Sequence, residues 1–355
     1  MRIGCLVRTE NRGLGYQSRA FLREMGAIPL VISIPNRSEH VCPADLSLYP
    51  DAPVARVHAG WRLEPGVVRP WLDTIDLLWT AETCYSDDLT AWCREQGVAT
   101  VIHANPEFVP VSLRGYGLGS PDAWWSATPW RLDVMPRGTE VVPWPVEPAV
   151  PVELHDGPCR WLHVQGRAAV GDRNGSEVVF AALRYLRRPC SVRIVTQERS
   201  LPRLRVPGHV QVEMVAGGVD SPADLYADAD ALVYPRRYGG LSLVTNEAMA
   251  AGLAVVMPNV PPNYDVWPCR LVPAHGGALV HTAAGNVLAH DVHPAELAEV
   301  MDSFADPTVR HGWQEQSRAW AAQHSWDALR GDYLRRFEAL TTSPAGGRVG
   351  GSVAP

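Results

Sequence analysis

The segment ALVYPRRYGGLSLVTNEAMAAGLAVV, residues 231–256, reads as strand, glycine loop, helix, glycine stop and strand. Ala231–Tyr234 and Ala254–Met257 are short and apolar, as strands buried on both faces are. Leu243–Ala251 has the length of a helix and ends at Gly252, the residue type that most often stops one. A helix between two strands is the usual connection of a parallel pair. The Gly239-Gly240 loop presents free N–H groups at the helix N-terminus, where a phosphate can sit. Glu247 lies one turn in, so its carboxylate can face the same crevice and accept hydrogen bonds from two vicinal hydroxyls, as on a ribose. In isolation such a glutamate would read as a solvated helix residue.

The same alternation extends outward. Strands are predicted at Ile3–Val7, Pro29–Ile34, Leu77–Thr80, Ala99–His103, Ala123–Ser126 and Glu140–Pro143. A second series follows at Arg160–Gln165, Ser191–Thr196, Val210–Val215, Ala231–Tyr234, Ala254–Met257 and Ala278–Val280, with helices such as Ser176–Tyr185 and His293–Phe304 between strands. Strands alternating with helices imply parallel sheets covered on both faces. Pro143, Pro145, Pro148 and Pro151 separate the series, so the chain divides into two doubly wound, Rossmann-like halves, residues 1–148 and 156–325. Trp326, Leu329, Tyr333, Phe337 and Leu340 form the stripe of an amphipathic helix over 326–340. The tail 341–355, mostly Gly, Ser, Pro and Ala, is expected to be disordered.

Composition narrows the function. The 355 residues are 46% hydrophobic and 20% charged, which excludes disordered and collagen-like chains. All 32 basic residues are arginine, so a lysine Schiff base, a P-loop lysine and a lysine general base are excluded. Arginine is the permanent cation left for binding anions. The net charge of −6 argues against wholesale wrapping of nucleic acid. No apolar run approaches the ~18 residues of a membrane span, and the N-terminus reads as a strand, not a signal peptide. Seven cysteines, none in CxxC spacing, suggest neither a disulfide framework nor a zinc cluster, so a reduced, cytoplasmic protein is expected. The 13 tryptophans read mostly as core, with a few as stacking surfaces.

Two further loops could carry chemistry. Glu10-Asn11-Arg12-Gly13-Leu14-Gly15 follows the first strand and precedes a helix predicted from about Tyr16. Ser18 occupies the third glycine position, which discounts a dinucleotide fingerprint. Gly166–Gly175 carries Arg167 and Arg173 on a glycine-bearing loop, either a diphosphate clamp or a solvated loop. Asp228-Ala229-Asp230 has the spacing of a metal-binding DxD but ends a helix before a strand, so no metal is assigned to it. His103, Glu82 and Glu107 sit at or just past strand carboxyl ends. His103 either orients a substrate or is a core histidine, and the two glutamates either bind acceptor hydroxyls or act as caps.

The 231–256 segment resembles the donor-binding signature of GT-B-fold glycosyltransferases, especially the retaining family 4 type. That signature has Glu, seven residues, Glu, then Ala-Met-Ala and a glycine. Glu247 matches the second Glu, and Gly239 stands in place of the first. Glu10–Gly15, Glu82-Thr83-Cys84-Tyr85, Asn105-Pro106-Glu107-Phe108 and Asp172-Arg173-Asn174-Gly175 are similar to a divergent branch found in bacteriophages and environmental bacteria. The resemblance implies an α/β fold of two Rossmann-like domains facing across a cleft, with the C-terminal helix returning to the first domain. It implies that Glu247 holds the donor ribose, and that Arg167 and Arg173 neutralise the diphosphate. Backbone groups of Gly239, Gly240, Leu241, Ser242, Leu243 and Val244 would bind the donor, and Gly13 and Gly15 would approach it from the first domain. The implied reaction moves a sugar from a nucleotide-sugar, expected to be a UDP- or GDP-sugar, to a hydroxyl acceptor, with retention and without a metal or other cofactor. An epimerase of the same fold and a non-catalytic nucleotide-sugar-binding module are the alternatives. The phage branch raises a hydroxymethylated DNA base as an acceptor, with a glycan, lipid or protein as the other acceptors. A DNA acceptor would use Arg12, Arg19, Arg23, Arg37, Arg56, Arg62 and Arg69, with Trp61, Trp71, Trp124, Trp125 and Trp130 as stacking surfaces.

Overall fold

Every residue of Ile3–Val7, Leu77–Ala81, Ala99–Ala104 and Ala254–Pro258 is buried. Such strands have apolar side chains on both faces and need a layer of helices on each side. The computed structural model describes residues 1–10, 13–34, 45–106, 109, 119–166, 171–198, 204–217, 222–282 and 285–342. They fall into two units: Met1–Trp144 with the chain from Leu329 onward, and Pro145–Thr282 with Asn286–Ala328.

The elements of the first unit are β1 (Ile3–Val7), α1 (Gly13–Met25), β2 (Ile28–Ser33), β3 (Val54–Arg56), α2 (Pro65–Leu72), β4 (Leu77–Ala81), α3 (Leu89–Glu95), β5 (Ala99–Ala104), β6 (Ala123–Ser126) and β7 (Glu140–Val141). The second contains β8 (Cys159–Gly166), α4 (Ser176–Ala182), β9 (Cys190–Thr196), β10 (Val210–Ala216), α5 (Pro222–Tyr226), β11 (Ala231–Val233), α6 (Leu243–Ala250), β12 (Ala254–Pro258) and α7 (Asn263–Val266). There follow β13 (Arg270–Val272), β14 (Ala274–Thr282), β15 (Gly285–Val292), α8 (Pro294–Ser303), α9 (Pro307–Gln323) and finally α10 (Trp326–Thr342).

The first sheet has seven strands in the order β3-β2-β1-β4-β5-β6-β7. The second has six, β10-β9-β8-β11-β12-β13. All neighbours are parallel. In each sheet the chain winds outward from a central strand and then returns to that strand's other side, between β1 and β4 and between β8 and β11. Ligands of open α/β sheets bind beyond the carboxyl ends of the strands at such a reversal. Among the described residues, no helix is long and apolar enough to cross a membrane.

Alternation within strands builds a core on each face. In the second unit Trp161, Val192, Ile194 and Val233 meet Val179, Leu297 and Phe304 of the α4–α8 side. Leu162, Val195, Leu232 and Val255 meet Met249 of α6 and Trp320 of α9 on the other face. In the first unit one face carries an aromatic layer. Phe21 stacks on Trp79 at 3.9 Å and Phe337 of α10 on Trp125 at 5.1 Å, while the Tyr333 hydroxyl donates to the Pro143 carbonyl at 2.9 Å. Such pairs add about 0.5–1.5 kcal/mol beyond their burial.

Three expectations differ from the structure. The helix after β1 begins at Gly13, not Tyr16, so Gly13 and Gly15 lie inside its first turn. The sixth strand of the second sheet is Arg270–Val272; Ala278–Val280 belongs to the separate two-stranded sheet β14–β15, where Leu279 is 70% exposed. Its apolar triplet lies on the surface, whereas Arg270–Val272 supplies the pairing to β12. Val54–Arg56, too short and mixed to be read as a strand, forms the edge of the first sheet. Thr341 and Thr342 continue α10, and 343–355 lie outside the described residues.

His103 is 1% exposed, with the rings of Trp79, Trp125, Trp144 and Tyr333 around it, their centroids 5.9 to 6.3 Å away. Of the two readings its position allows, this aromatic enclosure favours the core histidine. Burial pushes its imidazole down to about 3, the backbone of Val142 opposing only in part, and burial holds His163 down to about 4. Both rings are neutral when folded and titrate near 6.5 when unfolded. As pH falls below 6.5 the unfolded chain takes up protons that the folded chain does not, so stability present above that pH is lost. In urea unfolding at pH 7.5, 6.0 and 5.0, His103→Leu should lessen the loss by about 1.4 kcal/mol per pH unit relative to wild type. An unchanged slope would refute the assignment.

Candidate functional site

The carboxyl ends of β8 and β11 carry two of the loops singled out by sequence. In the first, both Asp172 oxygens accept helix amides, from Ser176 and Glu177, each at 2.9 Å. The α4 N-terminus is therefore capped by the chain's own carboxylate. Asn174 donates to the Gln165 carbonyl and accepts from the Tyr234 hydroxyl, both at 2.9 Å. Gly175 has φ +71°, and a Cβ there would collide with the Pro235 carbonyl. His163 bonds the Val233 carbonyl through Nδ1 at 2.9 Å and Ser176 Oγ through Nε2 at 2.8 Å. A carbonyl only accepts, so Nδ1 carries the proton and Nε2 accepts from the hydroxyl.

These contacts bind the β8 loop to the β11 loop. The Arg237 amide donates to the Arg173 carbonyl at 2.8 Å. The Arg237 guanidinium is taken up by Asp291, at 2.7 and 3.0 Å, and by the Gly171 carbonyl. Arg173 lies over the Tyr238 ring, 5.7 Å from its centroid. Arg167 lies outside the described residues.

In the second loop, Gly239 and Gly240 are buried and Leu241 is half-buried. Ser242 caps α6, its Oγ accepting from the Thr245 amide at 3.2 Å. The amides of Leu243 and Val244 belong to the first turn, where the helix itself supplies no carbonyl. Gly239 adopts φ +132°; a Cβ there would collide with the Arg236 guanidinium and sit 2.8 Å from Arg173 Nη2. Glu247 accepts from the Tyr226 hydroxyl at 2.7 Å. Burial raises its carboxyl to about 7, against the opposing effect of that hydrogen bond. Arg173, Arg236, Ser242 and Glu247 thus share one end of the second sheet.

Sequence reading missed Arg236 and Tyr226. The Arg236-Arg237 pair was visible, but nothing in the sequence says which of the two turns into the loop. Tyr226 precedes Glu247 by 21 positions and reaches it only through the fold. Asp230 lies at the opposite, amino end of β11, where Arg160 and His155 take its carboxylate at 2.8 and 2.9 Å. Among the described residues, no cluster of His, Cys, Asp and Glu is arranged to hold a metal.

The first unit's reversal, between β1 and β4, gathers another polar group. Arg8 pairs with Glu10, and Asn105 Nδ2 donates to Glu82 Oε1 at 3.0 Å. Glu82 stands at φ +69°, its amide donating to the His103 carbonyl at 2.9 Å. Gly15 is buried, and a Cβ there would collide with the Glu10 carbonyl, so it permits close packing of α1 on the β1 loop; Gly13 is exposed. Glu107 lies outside the described residues.

Residues 161–302, spanning this second-unit site, match the family described as "Glycosyl transferases group 1". Over these residues the chain is similar to a glycosyltransferase group 1 domain. Solved structures extend the likeness to the whole chain. Alr3699/HepE of Anabaena, in complex with UDP-glucose, is 12% identical, with a TM-score of 0.65 over 96% of this chain and 100% of that one. MurG of Acinetobacter baumannii is 14% identical, with a TM-score of 0.56 over 97% and 100%. Sucrose-phosphate synthase of Thermosynechococcus elongatus is 16% identical, with 0.59 over 96% and 100%. At these identities the likeness is one of fold, and the fold is GT-B. No curated protein matches the chain in sequence. With the group 1 domain in this fold, the protein is an enzyme, a glycosyltransferase.

The junction of the two glycosyltransferase loops rests on Gly175. Gly175→Ala should destabilise the protein by about 1–3 kcal/mol through left-handed strain and the Pro235 contact. Chemical denaturation would measure this, and a change within about 0.5 kcal/mol would contradict it.

Proposed function

We propose that the second unit binds a nucleotide-sugar, a UDP- or GDP-sugar, beyond β8 and β11, and that the enzyme passes the glycosyl group to a hydroxyl acceptor with retention. The observation that carries this reading is the gathering of Arg173, the first-turn amides of α6 and Glu247 at one sheet reversal. Glu247 accepts hydrogen bonds from the ribose hydroxyls. Arg173 and the amides of Leu243 and Val244 meet the diphosphate charge. The complex of HepE, a protein of the same fold, with UDP-glucose supports the donor class.

In the reaction the bond from the anomeric carbon to the diphosphate oxygen breaks, and a bond from that carbon to the acceptor oxygen forms. The acceptor's proton passes to an oxygen of the leaving diphosphate, so no side-chain base is required. Stabilising charge on the leaving diphosphate is then the main catalytic term, and Arg173 with the α6 amides supplies it without a divalent metal.

The acceptor is proposed as a hydroxyl compound without further class, because several of the residues the DNA reading called on are buried or paired. Trp71, Trp124 and Trp125 are buried in the first unit, and Trp61 packs against its core. Arg23 pairs with Glu24 and Arg69 with Glu95, while Arg12 and Arg37 lie outside the described residues.

Glu247→Ala should weaken donor binding by about 2–5 kcal/mol while the protein stays folded. Because the ribose favours the ionised carboxylate and Glu247 titrates at about 7, affinity should fall roughly tenfold from pH 8 to pH 6. Calorimetry with UDP- and GDP-sugars at both pH values, on wild type and Glu247→Gln, checks this; the variant should lose the pH dependence. Equal affinity in a folded Glu247→Ala protein would overturn the ribose assignment. Arg173→Ala should lower turnover more than donor affinity, because charge grows on the diphosphate as the bond breaks. Undiminished turnover, or loss of activity on chelation of divalent ions, would contradict this arrangement.

A further inference from the structure

Arg237 follows Arg236 in the loop after β11, so the sequence places two cations there. The structure gives Arg237 a partner at every guanidinium nitrogen. Nη2 and Nε donate to one oxygen of Asp291, Oδ1, at 2.7 and 3.0 Å, and Nη1 donates to the Gly171 carbonyl. Its backbone is held as well. The amide donates to the Arg173 carbonyl at 2.8 Å, and the carbonyl accepts from the His290 amide at 3.0 Å. One residue thus joins three segments: the β8 loop at Gly171 and Arg173, its own β11 loop, and β15 at His290 and Asp291. β14 closes the same corner, since Gly171 has φ +64° and a Cβ there would sit 2.9 Å from a Val280 methyl. The β14–β15 pair belongs to neither parallel sheet, and residues 275–279 of β14 are exposed. Its other strand ends on the two loops of the site.

The Asp291 side chain is 56% exposed and that of Arg237 18%. An ion pair with one partner so exposed contributes little to stability. Its effect on geometry is larger, because misplacing a reacting or charged group by about 1 Å can cost on the order of a hundredfold in rate. We propose that Asp291 is a positioning residue: by fixing Arg237 it sets the β8 loop against the β11 loop and places Arg173 on the diphosphate. The inference rests on the donor reading above, which assigns Arg173 to that charge. Arg237 is then a clamp and not a second diphosphate ligand. Both of its bonds to Asp291 converge on a single oxygen, which an asparagine amide also supplies, so the placement of that oxygen is what matters.

The test is calorimetric titration of the full chain with UDP, UMP, GDP and GMP, together with thermal unfolding. For the nucleoside that binds, the margin of diphosphate over monophosphate affinity reads the contacts to the outer phosphate. Asp291→Ala should shrink that margin by about fivefold or more and change monophosphate affinity less than about twofold. It should lower the melting temperature by less than about 4 °C. Asp291→Asn should keep the margin within about twofold of wild type. In an Arg173→Ala background, Asp291→Ala should change the margin less than about twofold, because residues that act through one another are not additive. An undiminished margin in Asp291→Ala overturns the proposal, and so does an equal loss in the Arg173→Ala background. Asp291→Asn as damaging as Asp291→Ala overturns it by making charge the cause. Unfolding of Asp291→Ala, or a larger fall in melting temperature, makes the contact an element of the fold and overturns it too. A wild-type protein that binds no nucleotide, or binds monophosphate and diphosphate equally, removes the donor-site reading, and this inference with it.

Discussion

The closeness of Gly175 to the carbonyl of Pro235 is the constraint on which the second unit's site depends. Only a residue without a side chain lets the loop after β8 lie directly against the loop after β11. Once there, Asn174 reaches the Tyr234 hydroxyl, His163 joins Val233 to Ser176, and the Arg237 amide meets the Arg173 carbonyl. Arg173 thereby reaches a point defined by another loop, beside Gly239 and above Tyr238. The two loops that carry the site's arginines are tied to each other through these contacts, the rigid support that charge stabilisation without reorganisation needs.

Electrostatics follows from that geometry. In a chain without lysine, planar guanidinium groups supply all permanent side-chain cations. They suit diphosphate and carboxylate through paired hydrogen bonds. Glu247 is the counterweight: burial raises its carboxyl to about 7, and the Tyr226 hydroxyl restrains that rise. A carboxylate poised near neutrality, two arginines beside Gly239 and the N-terminus of α6 share one end of the second sheet. A nucleoside diphosphate has hydroxyls at one end and negative charge at the other.

Much of this was legible in the sequence. The alternation of apolar strands with helix-length segments gave two doubly wound halves because fully buried parallel strands leave continuous apolar runs. Gly252 and Ser242 marked the ends of α6 through stop and cap chemistry that operates within a few residues. What escaped was long-range or two-sided. Ala278–Val280 is apolar yet exposed, and Arg270–Val272 is mixed yet a sheet strand, because pairing overrides local pattern. His103 reads equally as ligand or core until its aromatic cage is seen. The glycine at 239 was legible only as a missing acid; its meaning, a space filled by Arg236, depends on a backbone turn that no spacing encodes.

We place the proposed nucleotide-sugar at the reversal between β8 and β11. Hydrogen exchange of the full chain with and without saturating UDP or GDP tests it most directly. Exchange should slow in residues 239–247 and 171–176, with β14, β15 and α9 unchanged. A nucleotide that binds while exchange in those two segments stays the same, with protection elsewhere in the chain, would contradict it.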